Sequence, residues 1–439
     1  MRYITAVMAL FSTIIVRAQD YDSPRTTQID RDDARSGIVA YPTQEEALRF
    51  GHAPSRYLRP IGEWQEGSSK LGRTFTGEFN MPFAWIDREL FLYVGPCGSG
   101  YEVTVNGRRA GYVQHGNTPA EYDITKLAVE GKNRVTVTML VPSTSEALET
   151  APTKDPVPGE CYVLAQPKMR VRDILVRSTI SNDDNGVLEL GVVIKTHALN
   201  PKTTRVYYEV LAPDTTKVVE GYKDLTLDMR REDTVRFMAT IPRSMMWSAE
   251  TPNLYTVVVR TRYEGRINEY IPLKAGFRTV ANDNGTLLIN GKPVTLRVKE
   301  GSSEYTVQEL GTFKKLGYNA LRMQPGMLSQ AQLDRCDSAG FYVIAQIPID
   351  TNRAGFSRKR GGNPSNDPAW RDAYLDRTVQ HYLAVRNHPS VVAFSLARES
   401  ANGINLYESY LRLKELEKER PVIYPESGGE WNSDPLNLP

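Results

Sequence analysis

Glu399 is the side chain with the most chemistry to offer. It stands three residues past the short apolar run at 391–396 (VVAFSL) and ahead of a helical pattern at 404–419. A carboxylate just beyond the C-terminal end of a parallel strand is placed to donate or accept a proton. Its alternative is a structural carboxylate at a helix N-terminus. The later acids Glu426 and Glu430, apart from Asp434, come after another apolar segment at 422–424 and read as solvated loop acids. Arg322 lies in the segment NALRM at 319–323, and Asp350 lies in YVIAQIPIDT at 342–351. Arg398 adjoins Glu399. The tryptophans at 64, 85, 247, 370 and 431 are flat surfaces for stacking. Trp247 reads as core, and Trp431 is the best placed for a site.

Other chemistries are not signalled. The five histidines, at 52, 115, 197, 381 and 388, lack zinc spacing. His388 precedes Pro389 at a helix end and reads as structural. Neither a nucleophile elbow nor a P-loop nor a dinucleotide fingerprint is present, so no metal and no cofactor is expected. Cys97, Cys161 and Cys336 are too few for a disulfide scaffold. They read as small buried hydrophobes, with one disulfide left open in an oxidising compartment. The 54 basic and 52 acidic residues nearly cancel, which argues against a nucleic-acid binder.

The elements that position these residues fall into a multidomain β plus α/β pattern. At roughly 150 residues per domain the length suggests about three domains. Residues 1–18 read as a signal peptide: Arg2, an apolar run at 4–16, and Val16-Arg17-Ala18 ahead of the cleavage point. The protein is therefore expected to be exported, periplasmic or secreted, with no membrane span. Residues 19–54 form a polar lead-in without sustained periodicity. Residues 55–166 show short strands between turns, including YEVTV at 101–105 before Asn106-Gly107, and predict a jelly-roll β-sandwich. A Pro-rich loop at 151–159 closes that unit. Residues 167–278 predict an immunoglobulin-like β-sandwich. From 279 to 439 strands alternate with helices: strands at 294–298, 318–323, 341–347, 391–396 and 422–424, with helices at 307–316, 329–339, 368–387 and 404–419. That alternation predicts a parallel sheet, an incomplete (β/α)8 TIM-type barrel.

Several segments together resemble glycoside hydrolase family 2, the β-galactosidase, β-glucuronidase and β-mannosidase group. VNGRRAGY at 105–112, NTPAEYDIT at 117–125 and GKNRV at 131–135 resemble its sugar-binding domain. WSAETPNLY at 247–255 resembles the end of its middle sandwich. GFRTVANDNGTLLINGK at 276–292 resembles the start of its barrel, and HPSVVAFSLARESANG at 388–403 its fourth barrel strand. The resemblance implies a retaining O-glycosyl hydrolase acting on a glycan or β-glycoside, with Glu399 as the acid/base. Arg322, Asp350, Arg398 and Trp431 then become substrate-binding candidates. For Arg322 and Asp350 a strand-end ion pair is an equal alternative.

This sequence departs from the family pattern. Arg398 replaces the Asn that precedes the acid/base, and such a cation is expected to lower the carboxyl pKa, against proton donation. Met323-Gln324-Pro325-Gly326 replaces the usual Ser-His-Tyr-Pro. Acids are lost at Ala345 and Gln346, and only Asp350 remains. The family nucleophile lies on the seventh barrel strand, and only 439 − 399 = 40 residues come after Glu399 here. No nucleophile is assigned, and this chain alone is expected to be inactive. The alternatives are a non-catalytic carbohydrate-binding or scaffold protein, or half of a split gene product. Five strands also cannot close an eight-stranded barrel. Val392 and Phe394 are expected to meet solvent unless the β-domains, a partner or a homo-oligomer covers the open edge.

Overall fold

Asn106 and Gly107 both adopt left-handed backbone angles, φ 51° and 75°. They form the two-residue turn that joins Tyr101–Val105 to Arg108–Val113, as an Asn-Gly pair favours. In this computed structural model the described residues are 21–49, 54–149, 155–198, 200–228, 231–301, 303–323 and 328–438. The expected leader at 1–18, residues 151–154 of the Pro-rich loop and Gln324-Pro325-Gly326 lie outside them.

The first unit packs a six-stranded against a five-stranded sheet. Alternating side chains such as Phe75 and Phe79 of Gly72–Met81 fill the space between them. The second unit has three strands in one sheet and four in the other, the seven of an immunoglobulin-like sandwich. Its strand Lys217–Leu227 is exposed along nearly its whole length, so it carries no apolar alternation to be read in sequence.

The third unit is a five-stranded parallel sheet in chain order: β1 (Val298–Gly301), β2 (Ala320–Met323), β3 (Tyr342–Gln346), β4 (Val391–Ser395) and β5 (Val422–Ile423). The connecting helices are α1 (Val307–Lys315), α2 (Gln330–Ala339), α3 (Arg371–Val385) and α4 (Ile404–Leu416). Thr306 and Glu309 make a reciprocal capping box on α1, and the Ser329 side chain caps α2. The strand expected at 294–298 is corrected. Asn290 and Gly291 both have positive φ and turn the chain back. Lys292–Val294 therefore pairs antiparallel with Thr286–Ile289, and the parallel sheet starts only at Val298.

The lead-in is also more than a polar tail. Gln28–Ile29 joins one jelly-roll sheet and Arg31–Asp32 the other. Arg31 grips Asp376 of α3 through both guanidinium nitrogens, at 2.6 and 3.1 Å. Tyr41 exchanges backbone hydrogen bonds of 2.8 and 2.9 Å with Tyr270. The segment straps all three units together through hydrogen bonds and ion pairs, which leave no hydrophobic period.

Val392 and Phe394 do not meet solvent: both are fully buried, with cover from the chain's own domains, one of the ways expected. Phe394 faces the helices, 5.5 Å from the Tyr382 ring and 4.8 Å from the Arg420 guanidinium. Val392 packs in a second core with Trp247, Leu287 and Ile289. The chain's own antiparallel hairpin and the end of the middle sandwich cover that face, so these two side chains need no partner or second copy. Trp247 is core, as read, and its indole N–H donates to the Asp337 carbonyl at 2.9 Å. All three cysteines are free and buried. Burial pushes the Cys97 and Cys336 thiols up to about 12.

Candidate active site

β4 carries the chain to Glu399 because Val391–Ser395 is buried on both faces. Two backbone hydrogen bonds fix the path of the chain beyond this strand. Arg398 N–H donates to the Ile349 carbonyl at 2.9 Å, and Thr351 N–H donates to the Glu399 carbonyl at 2.7 Å. The segment after β4 thus runs beside the segment after β3, at the C-terminal end of the sheet. There the Asn352 amide donates to Glu399 Oε2 at 2.6 Å. Thr351 Oγ1 donates to Asn363 Oδ1 at 2.9 Å and also bonds Ser400 Oγ at 2.6 Å. Buried hydroxyls and amides therefore hold the backbone on both sides of the carboxylate.

Asp350 is buried and accepts the Asn352 backbone N–H at 3.3 Å. Arg322 near the end of β2 donates to Glu300 near the end of β1 at 2.8 Å, a strand-end ion pair of the kind given as its alternative. Glu426 lies on the short 3-10 turn Pro425–Ser427 after β5. Partial burial raises its carboxyl above the usual range, and the neighbouring charges of Glu399 and Asp350 add to that, against a lowering by Arg322. Those influences draw Glu399, Asp350, Glu426 and Arg322 into one electrostatic neighbourhood. Glu426 is nonetheless exposed, in keeping with its reading as a solvated loop acid.

Arg398 is exposed and, among the described residues, forms no ion pair with Glu399. The cation expected to act directly on the acid is exposed at a bend after β4, while Glu399 itself is half-buried. Trp431 is 60% exposed and packs on α4, with ring centroids 4.9 Å from Tyr407 and 6.0 Å from Tyr410. Its neighbour Glu430 accepts from Arg358 at 2.6 Å. Asn352 was invisible in sequence as a functional residue, since nothing in a polar loop marks which amide will reach an acid 47 positions on.

One group of side chains has metal-like composition. Oxygen and nitrogen atoms of Asp334, Asp337 and His388 lie within 4.8 Å of one another. These atoms already satisfy each other: His388 Nδ1 is 2.6 Å from Asp337 Oδ2, and Ser390 N–H donates to Asp337 Oδ1 at 2.9 Å. The cluster sits by the start of β4, at the opposite end of that strand from Glu399, and supports the structural reading of His388. Burial alone would depress the imidazole pKa, but the charge and hydrogen bond of Asp337 outweigh it and hold the pKa above its ordinary value. A raised imidazole pKa gives stability that is complete below the unfolded value of about 6.5 and is lost as pH climbs through the folded value. His388→Gln should therefore lower the denaturation midpoint more at about pH 6 than at about pH 9, as read by tryptophan fluorescence in urea.

Comparison with known proteins places this architecture. The sugar binding domain model of glycosyl hydrolases family 2 matches residues 65–156, the family 2 model residues 169–278, and the family 2 TIM barrel domain model residues 280–436. The chain belongs to glycoside hydrolase family 2. A beta-galactosidase of Priestia megaterium is 29% identical over 428 residues, covering 92% of this chain and 39% of that protein. A beta-galactosidase of Alteromonas mediterranea is 26% identical over 380 residues, covering 82% of this chain and 36% of that protein. The chain thus spans well under half the length of these two relatives. Among solved structures, Bacteroides uniformis beta-glucuronidase aligns with TM-score 0.69 at 14% identity, over 90% of this chain and 52% of that one. A putative beta-galactosidase from Bacteroides fragilis aligns with TM-score 0.69 at 14% identity, over 91% of this chain and 63% of that one. At those identities the structural likeness speaks for the fold alone. No helix among the described residues is long and apolar enough to cross a membrane.

Proposed function

We propose that this protein is of the β-glycosidase kind represented by galactosidases and glucuronidases, with Glu399 as the group that protonates the leaving oxygen and later activates water; the carboxylate that would take the sugar between those two steps is not assigned among the described residues. The observation that carries the reading is the fixed carboxylate of Glu399, held by Asn352 at the C-terminal end of the parallel sheet, where barrel enzymes assemble their chemistry. Family membership and two beta-galactosidase relatives support the substrate class. Asp350 and Arg322 flank the acid and supply hydrogen-bonding groups for sugar hydroxyls. The apolar run at 4–16 supports export, to the periplasm or beyond.

A second reading, glycan capture without turnover, is favoured by the exposed cation at Arg398, where the family pattern has an amide. One experiment separates the two. The purified chain is incubated with a panel of aryl β-glycosides, and released phenol and anomeric configuration are tracked by absorbance and proton NMR. Turnover with retained configuration would carry the first reading and overturn the expectation, drawn from the sequence, that this chain alone is inactive. Release no faster than in buffer, together with glycan binding in a titration, would replace the first reading by the second.

A further inference from the structure

The strand-to-helix connection after β3 leaves the sheet beyond Gln346, passes Asp350 and reaches the turn Pro364–Asn366. Between them, residues 353–360 read RAGFSRKR: four cations, at 353, 358, 359 and 360, and no acid in eight positions. The chain as a whole has almost equal numbers of acids and bases, so this density is local. The four cationic side chains are all exposed, as is Phe356 at 56%.

The loop is held in place. Asn363, fully buried, donates to the Thr351 carbonyl at 3.1 Å and the Gly355 carbonyl at 2.6 Å. Its backbone N–H bonds the Ser357 carbonyl at 3.1 Å, and Gly362 N–H bonds the Lys359 carbonyl at 2.9 Å. Asn366 bonds the Arg358 carbonyl. At one end Asn352 grips Glu399; in the middle Arg358 reaches Glu430 at 2.6 Å, beside the exposed Trp431. The loop therefore crosses from the proposed proton donor to the rim after β5. Arg358 is partly neutralised by Glu430. Lys359 and Arg360 make no ion pair among the described residues.

Exposed cations normally scatter among acids on a surface, and unpaired like charges side by side repel one another unless an anion answers them. Resting on the glycosidase reading above, we propose that the substrate is an anionic glycan, with sulfate or uronate groups, and that the 353–360 loop holds those groups on the leaving-group side. The geometry supplies the side. A proton donor adjoins the glycosidic oxygen, the leaving group continues from that oxygen, and the loop begins one residue after the amide bonded to the donor. Lys359 and Arg360 meet the anions, while Phe356 and Trp431 offer apolar faces to the sugar rings between them.

The test runs the full chain through native gels containing a sulfated galactan, polygalacturonate or a neutral β-galactan, at about 0.15 M salt, where charges beyond roughly 8 Å are screened. Three proteins are compared: the unaltered chain, Lys359→Ala with Arg360→Ala, and Lys217→Ala with Lys223→Ala on the middle sandwich as a charge-matched control. Retardation is expected in the sulfated gel, the uronate gel or both, and which of them shows it identifies the anion. The loop variant should lose about tenfold in affinity and the control should lose little. Equal retardation in the neutral gel, none in either anionic gel, or equal loss in the control would overturn the proposal. Aryl glycoside hydrolysis is measured on the same preparation. Hydrolysis without anionic retardation removes this inference and leaves the glycosidase reading; loop-dependent retardation without hydrolysis removes the catalytic reading and leaves the anion site.

Discussion

Glu399→Gln should lower any turnover that this chain shows on aryl β-glycosides with poor leaving groups by about 10²- to 10⁴-fold, the usual contribution of a positioned general acid. The substitution keeps shape and the Asn352 contact, since a side-chain carbonyl still accepts the amide at the position of Oε2. What it removes is the proton. The loss should shrink for a dinitrophenyl glycoside, whose leaving group departs without protonation. Water attack on the second half of the reaction would still lack its base. Added azide needs no base and, wherever an attacking carboxylate has taken the sugar as an ester, should displace that carboxylate and restore turnover of the dinitrophenyl substrate. This pattern belongs to an acid/base and not to a helix-capping carboxylate. Uniform loss on all leaving groups, with no azide effect, would return Glu399 to a structural role. Asn352→Ala should give a milder loss in the same leaving-group order, because it frees the carboxylate to rotate without deleting it.

Much of that site was legible because the elements that build it bury apolar residues with a period. β4 reads as VVAFS and is buried throughout; the carboxylate just beyond it could then be placed at a strand end from the sequence alone. The turn at Asn106-Gly107 was legible for a different reason, since its backbone angles are ones that few other residues accept. The parts that escaped sequence reading are those held by polar contacts between distant segments. Asn352 reaching Glu399, Arg31 reaching Asp376 and the Asp337–His388 pair leave no periodicity. Hydrogen-bonding partners of that kind are chosen by the folded geometry, and a polar loop residue looks the same in sequence whether or not it finds one. The covering of β4 by the antiparallel hairpin belongs to the same class. Counting strands gave an open edge, while the side chains of Leu287 and Ile289 that shield Val392 lie more than a hundred positions earlier.

The contact between the first and third units sets the second large expectation. Arg377 on α3 is fully buried, and its guanidinium donates to Glu149 Oε1 at 3.1 Å and to the Pro348 carbonyl at 2.5 Å. Glu149, itself buried, also accepts from Asn117 at 3.0 Å. Glu149→Gln removes a carboxylate from the buried Arg377 guanidinium, and breaking a buried ion pair costs about 3–5 kcal/mol. For a domain of this size roughly 2–4 °C is lost per kcal/mol, so the barrel transition should fall by about 6–20 °C in calorimetry. Glu149→Leu combined with Arg377→Met should cost less than either single change, since removing both charges leaves neither stranded. The effect should also reach the site. Pro348 lies two residues before Asp350, and Asp350 N–H donates to the Leu148 carbonyl at 2.8 Å. Losing the Arg377 anchor therefore loosens the segment that carries Asp350 and Asn352. Amide exchange at 349–352 should quicken in Glu149→Gln, well below its melting point, while exchange in the middle sandwich stays unchanged. Unchanged exchange at 349–352 with a full loss of stability would show that the ion pair holds the domains together without positioning the site.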